Sequence, residues 1–171
     1  AGFFPNLNKV FCWMYFIDDI PFLREVLKPY HMENESFYKK VQMVDWITGA
    51  CFMLRREVKE FAGLLDENIF MYGEEMEWCY RIKNRGFKVV FTPNAQLLHL
   101  KGASGGLSTA GILEEFKAIL YFYKKHKPSW QLPLIRLILM SGALLRIVIF
   151  GIIGRYKTRI PLYAKAFKLA G

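Results

Sequence analysis

The stretch VDWITGACFMLRREV (residues 44–58), continued by GLLDENIFMYGEEMEWCYRIKNRGFKVVFTPNAQLLHLKGAS (63–104), decides how the rest of the chain is read. Glu74 to Arg85 predicts a helix with Gly86 as its C-terminal cap. Three carboxylates, Glu74, Glu75 and Glu77, crowd its start. One acid at a helix N-terminus gains about 0.3–1 kcal/mol from the macrodipole. Three within four residues also repel one another, so the cluster exceeds what capping needs. Glu74 and Glu77 share a helical face, whereas Glu75 points toward the side of Cys79. One carboxylate can then face a substrate while its neighbours are held by cations or backbone donors. The helix N-terminus favours the ionised state, which a general base needs.

Working outward, Ile47 to Leu54 predicts a buried strand in which Gly49 and Ala50 allow close backbone approach. Arg55 to Phe61 predicts a short helix stopped by Gly63, and Leu64 to Tyr72 a loop. Phe87 to Thr92 and Ala95 to Leu100 read as strands separated by Pro93-Asn94. His99 lies on the second of these, ahead of a Gly/Ser loop at 101–108 that could offer backbone donors to phosphate oxygens. The loop lacks the P-loop lysine spacing, and a lone histidine is open to a packed role as well as a ligand role. Upstream, Asp18-Asp19 before Pro21 reads as a helix end or turn rather than a metal site, and Pro21 to Tyr30 as a short helix.

Downstream, Thr109 to Lys125 predicts an amphipathic helix with Ile112, Phe116, Ile119, Leu120 and Tyr123 on one face. Leu132 to Ile153 is apolar except for Arg136, Ser141 and Arg146. As a helix it reaches roughly 33 Å, enough to cross a bilayer. A cation near the bilayer centre costs about 2.5–3.5 kcal/mol, so a tilted, interfacial or re-entrant helix competes with a span. Arg155 to Leu169 then interleaves basic residues with Tyr156, Leu162, Tyr163 and Phe167, a pattern suited to anionic headgroups.

Charge follows the same division. Residues 1–100 carry 12 Lys/Arg against 13 Asp/Glu, whereas residues 101–171 carry 12 Lys/Arg against Glu114 and Glu115 alone. A basic tail that is also apolar points to a membrane surface and away from nucleic acid. An apolar fraction of 53% and an aromatic fraction of 16% exclude a disordered chain. Cys12, Cys51 and Cys79 form no CxxC pair, which fits a reducing compartment.

In this order the motifs resemble family 2 of the glycosyltransferases, above all its rhamnosyltransferase-like enzymes. The residues that carry the resemblance are Asp45-Trp46, Gly49-Ala50-Cys51, Arg55-Arg56-Glu57, Gly63 to Glu67, Phe70-Met71-Tyr72, Glu74-Glu75-x-Glu77, Cys79-Tyr80-Arg81 and His99-x-x-Gly102-x-Ser104. The resemblance implies an α/β chain, the C-terminal half of a GT-A (Rossmann-like) nucleotide-sugar transferase domain, followed by a hydrophobic, basic, membrane-associated helical tail. It implies inverting transfer from a nucleotide-sugar donor, with a divalent metal (Mg2+ or Mn2+), to a glycan or lipid-linked acceptor in polysaccharide synthesis. Glu75, with Glu74 beside it, corresponds to the family's catalytic Glu-Asp pair, here with a longer side chain at the second position. His99 would contribute at the metal and diphosphate. Asp45, Trp46, Gly49, Glu77, Arg81, Gly102 and Ser104 would bind substrate.

The expected organisation is a partial transferase domain at 1–108 and a tail at 109–171, carrying its membrane-associated helix at 132–153. The expected location is the cytoplasmic face of the cell membrane. The nucleotide-binding strands and Asp-x-Asp motif of the family have no counterpart in the sequence, so the chain reads as a C-terminal portion, inactive alone. A non-catalytic membrane-surface interaction module is the alternative, and nucleic acid is not an expected partner.

Overall fold

Glycines and caps mark where the helices begin and end. The computed structural model describes residues 1–32, 35–98, 108–154 and 156–171. Helix α1 (Leu7–Met14) starts at Asn6, whose side chain accepts the Lys9 amide at 2.8 Å. Helix α2 (Pro21–Leu27) opens on a proline, and the Asp18-Asp19 pair sits in the preceding 3-10 turn, Ile17–Asp19. Helix α3 (Arg56–Ala62) ends at Gly63. Helix α4 (Glu74–Asn84) is followed by Gly86 at φ +86°. Helices α5 (Ser108–His126), α6 (Gln131–Ile153) and α7 (Ile160–Ala170) complete the chain.

Among the described residues the fold is mostly helical, with one small sheet. Strands β1 (Gln42–Val44) and β2 (Val89–Phe91) pair antiparallel, with Met43 opposite Val90. The parallel, Rossmann-like sheet implied by the α/β expectation is not among the described residues. Two expected strands also differ. Residues 47–54 form a turn and irregular backbone, and the ladder lies earlier, at 42–44. The Gly49 amide goes to the Glu75 carboxylate at 2.7 Å instead of a neighbouring strand, and Met53 is 94% exposed. Residues 95–98 have no regular structure, and His99 and Leu100 lie outside the described residues. Apolar composition favours a strand only where an edge is available to pair with.

Two clusters of buried side chains lie on either side of α4. The larger joins Val10 and Met14 of α1, Phe116, Ile119 and Phe122 of α5, Ile135, Leu139 and Ala143 of α6, and Tyr163 and Ala166 of α7. Met76 of α4 belongs to it as well. The smaller joins Val44, Val58, Ala62, Cys79, Ile82 and Val89. The larger core therefore draws on residues from both sides of the expected boundary at 108. The predicted face of α5 holds Phe116, Ile119 and Tyr123 in this core, with Phe122 added.

Helix α6 is long and apolar enough to cross a membrane, yet it has two distinct faces. Ile135, Leu139, Gly142, Ala143, Arg146 and Phe150 are buried, while Leu134, Leu137, Leu144, Val148 and Ile152 are exposed on the opposite side. Gly142 lets α1 approach closely: a Cβ there would lie 2.6 Å from Met14 Cβ. Gly142→Leu is accordingly expected to lower the unfolding free energy by about 1–3 kcal/mol in urea titration. Gly151 of the same helix has nothing within 4 Å of an added Cβ. Gly151→Ala is expected to raise stability by up to ~1 kcal/mol through helix propensity.

Candidate active site

The entry into α4 is set by Gly73, whose φ of +102° favours glycine and whose missing side chain admits α5: a Cβ would lie 2.5 Å from Ala118 Cβ. The three acids that follow have three different surroundings.

Glu77 is fully buried, with a side-chain exposure of 0%. It accepts from Arg81 Nε at 2.9 and 3.0 Å, from Lys125 Nζ at 2.8 Å, and lies 2.8 Å from His126 Nε2. Burial pushes its carboxyl up, but the hydrogen bonds from Lys125, His126 and Arg81 outweigh this and hold it below its ordinary value. Arg81 also donates to the Ala62 and Leu64 carbonyls at the end of α3, the latter at 2.6 Å. Both residues are thus engaged in joining helices, and neither lines the cleft described next.

Glu75 faces open space. Its Oε1 accepts the Gly49 amide at 2.7 Å, and its side chain lines a cleft of about 510 Å³ with Tyr30, His31, Trp46, Tyr72 and Glu115. A Cβ on Gly49 would lie 3.0 Å from that oxygen, so glycine allows the close approach. Trp46 is held by its Nε1 donating to the Phe3 carbonyl at 3.3 Å and by an antiparallel bridge to Gly2. Asp45, next to it, points away, accepting the Phe4 amide at 2.9 Å and pairing with Lys83.

Glu74 has one carboxylate oxygen, Oε2, that is buried without a hydrogen-bond partner. Burial first, and then the adjacent Glu75 charge, push its carboxyl up to about 7. The pair therefore divides: Glu74 retains its proton well above the usual carboxylate range, while Glu75 presents an oxygen to the cleft.

Of the expected site residues, Glu75, Trp46 and Gly49 come together at the cleft. Asp45, Glu77 and Arg81 lie beside it in structural ion pairs. His99, Gly102 and Ser104 lie outside the described residues. The structure adds His31 and Glu115, 2.5 Å apart, and the buried Tyr30. Glu114 and Glu115 are the only acids in residues 101–171, and that isolation was the available signal for Glu115. His31 had none. Among the described residues no group of three His, Cys, Asp or Glu side chains is placed to hold a metal ion. The described residues therefore do not by themselves fit the expected divalent metal, and no step below runs through one.

Comparison with known proteins supports the class of protein that this helix and cleft suggest. The chain is 32% identical over 93 residues to the N-acetylglucosaminyl-diphospho-decaprenol L-rhamnosyltransferase of Mycobacterium tuberculosis, covering 53% of this chain and 30% of that protein. It is 36% identical over 50 residues to the dTDP-rhamnosyl transferase of Shigella flexneri, covering 29% of this chain and 17% of that protein. It is 40% identical over 58 residues to an O-antigen biosynthesis protein of Myxococcus xanthus, covering 34% of this chain and 4% of that protein. The chain spans less than a third of the length of these curated relatives. No protein-family model matches, and no solved structure matches. The resemblance to rhamnosyltransferase-like glycosyltransferases is therefore shown by relatives, over part of the chain.

The two perturbed acids predict a stability profile with two flanks. The depressed Glu77 contributes stability above the ordinary carboxylate range, lost as pH falls through its lowered folded value. The raised Glu74 contributes stability below that range, lost as pH rises through about 7. Glu77→Gln, which removes the buried anion shared by Arg81 and Lys125, is expected to cost about 3–5 kcal/mol. Glu74→Gln is expected to flatten the decline between the ordinary carboxylate range and about pH 7. Urea unfolding from pH 3 to 9 checks both.

Proposed function

We propose that this chain forms the acceptor side of an inverting glycosyltransferase of GT-A type, which moves a sugar from a nucleotide-sugar donor to a glycan or lipid-linked acceptor in polysaccharide synthesis. The carrying observation is the Glu75 carboxylate, fixed by the Gly49 amide at 2.7 Å and open to a cleft walled by Trp46 and Tyr72. Transfer needs the acceptor hydroxyl deprotonated as its oxygen attacks the anomeric carbon. Glu75 takes that proton, the new glycosidic C–O bond forms, and the bond to the donor phosphate breaks, its electron pair leaving with the diphosphate. Glu74, retaining its own proton, limits the charge beside the base. Trp46 and Tyr72 offer aromatic faces to a sugar ring. The relatives support transferase chemistry; the nucleotide-sugar donor and a divalent metal with His99 beside it rest on the family resemblance.

The same proposal places the enzyme at the cytoplasmic face of a membrane. Leu137 (63% exposed), Val148 and Ile152 (80% exposed) form an unpartnered apolar stripe on α6. Lys157, Arg159, Lys165 and Lys168 are exposed on the adjoining segment. Apolar insertion and attraction to anionic lipid reinforce each other at such a surface.

Two experiments test these statements. In the full-length protein, Glu75→Gln is expected to reduce transfer about 10²–10⁴-fold with thermal stability unchanged. Undiminished turnover would refute Glu75 as the base, whereas no transfer by the wild-type full-length protein would leave the non-catalytic membrane module as the better reading. Flotation with vesicles containing anionic lipid is expected to carry the wild-type chain and to fail for the folded Leu137→Glu, Ile152→Glu double variant. Equal flotation of the two would remove α6 as the docking element.

A further inference from the structure

A second cavity, of about 240 Å³, lies where α1 and its following turn meet α6 and α7. We infer that it is a saccharide subsite, holding a neutral sugar unit of the acceptor beside the unit that reacts at Glu75. This assignment rests on the proposed transferase function and extends it to a part of the chain for which the family resemblance names no residue.

The lining chemistry selects the ligand. Arg146 and Arg159 supply guanidinium donors, Asp18 and Asp19 supply carboxylate acceptors, and Trp13 and Phe150 supply aromatic faces. Sugar hydroxyls donate and accept together, so a wall with both kinds of group suits them. A phosphate needs donors alone and would meet two carboxylates here.

The wall is also built, not incidental. Arg146 is 4% exposed although it carries a charge in an apolar helix. Its NH2 donates to the Trp13 carbonyl at 2.6 Å and its NH1 to Met14 Sδ at 3.1 Å, the latter a weak acceptor. A guanidinium has five N–H donors, so these two contacts leave capacity for a hydroxyl in the cavity that Arg146 lines. Phe16, a bulky residue at φ +60°, is held in the left-handed region with its ring 4.5 Å from the Arg146 guanidinium carbon.

The cavity and the Glu75 cleft share His31 as a lining residue. Its ring lies 5.6 Å from that of Trp13 on one side and 5.6 Å from that of Trp46 on the other. A chain of two sugars crossing His31 would place one ring at each tryptophan.

Saturation-transfer NMR on the full chain, with methyl glycosides of neutral hexoses and N-acetylhexosamines as probes, tests this. Binding is expected, weakened about tenfold or more in the Asp19→Asn, Arg159→Gln double variant. Both side chains are exposed, so the variant is expected to unfold at the wild-type temperature. In the full-length transferase the same variant is expected to raise the acceptor KM about tenfold while the donor KM stays fixed. No saccharide signal from a folded chain, displacement of the saccharide by inorganic pyrophosphate, or an unchanged acceptor KM would overturn the subsite. Glu75→Gln separates the two readings. If it leaves turnover intact while the double variant raises the acceptor KM, the base assignment fails and the subsite stands; if it abolishes turnover while the double variant changes nothing, the reverse holds.

Discussion

One buried carboxylate, Glu77, ties together the elements that shape the cleft. It collects Arg81 from its own helix and Lys125 and His126 from the end of α5. Arg81 reaches on to the carbonyls of Ala62 and Leu64, and Lys125 reaches Asp66, which also accepts from Tyr121 at 2.8 Å. The end of α3, the loop after it, α4 and α5 are therefore connected through a single anion. Removing such a charge from water is costly, and the cost is offset only when its oxygens are fully hydrogen-bonded. That requirement restrains the relative placement of α4 and α5. Glu75 and Glu115, which face one cleft from those two helices, inherit their separation from it.

The same logic explains why three acids occupy one helix start. The macrodipole favours each of them modestly, and their mutual repulsion would exceed that benefit if all were ionised in one environment. They are instead divided. Glu77 is neutralised by cations, Glu75 is held by a backbone amide, and Glu74 relieves the repulsion by keeping its proton to about pH 7. The Glu75 charge that raises Glu74 is the charge a base would use, so the two assignments support each other.

What could be read from the sequence was local, and what could not was long-range. Helices α3 and α4 were legible because glycine stops and acid starts are written within a few residues, and α5 because its apolar positions recur at helical spacing. The resemblance to rhamnosyltransferase-like enzymes was legible because its motifs stand in order, and the relatives support it. The strand expected at 47–54 was not found, since a buried-looking run cannot announce whether a neighbouring edge exists. His31 and Glu115 escaped notice because 84 positions separate them. Glu77 and Arg81 carried their own signal, an i,i+4 pair of opposite charge, which suggests a structural pair before a substrate contact.

Helix α6 illustrates how one residue changes the meaning of a composition. By length and apolarity it qualifies as a span, and Arg146 was the difficulty. The arginine proves to lie on the face that α1 and α7 cover, beneath the rings of Phe16, Trp13 and Tyr163 at 4.5, 5.2 and 5.5 Å. Its charge is thus accommodated by protein, through a carbonyl and aromatic faces, and makes no demand on lipid. The opposite face carries only apolar side chains at its exposed positions Leu134, Leu137, Leu144, Val148 and Ile152. A helix divided in this way has one side committed to a protein core and one side left over. In the proposed membrane-docked state it would meet a bilayer along its length, since crossing would carry α7, with Lys165 and Lys168 exposed on its outer face, into the hydrocarbon. Under that proposal, lying along the surface is the arrangement in which both faces would keep a solvent they match.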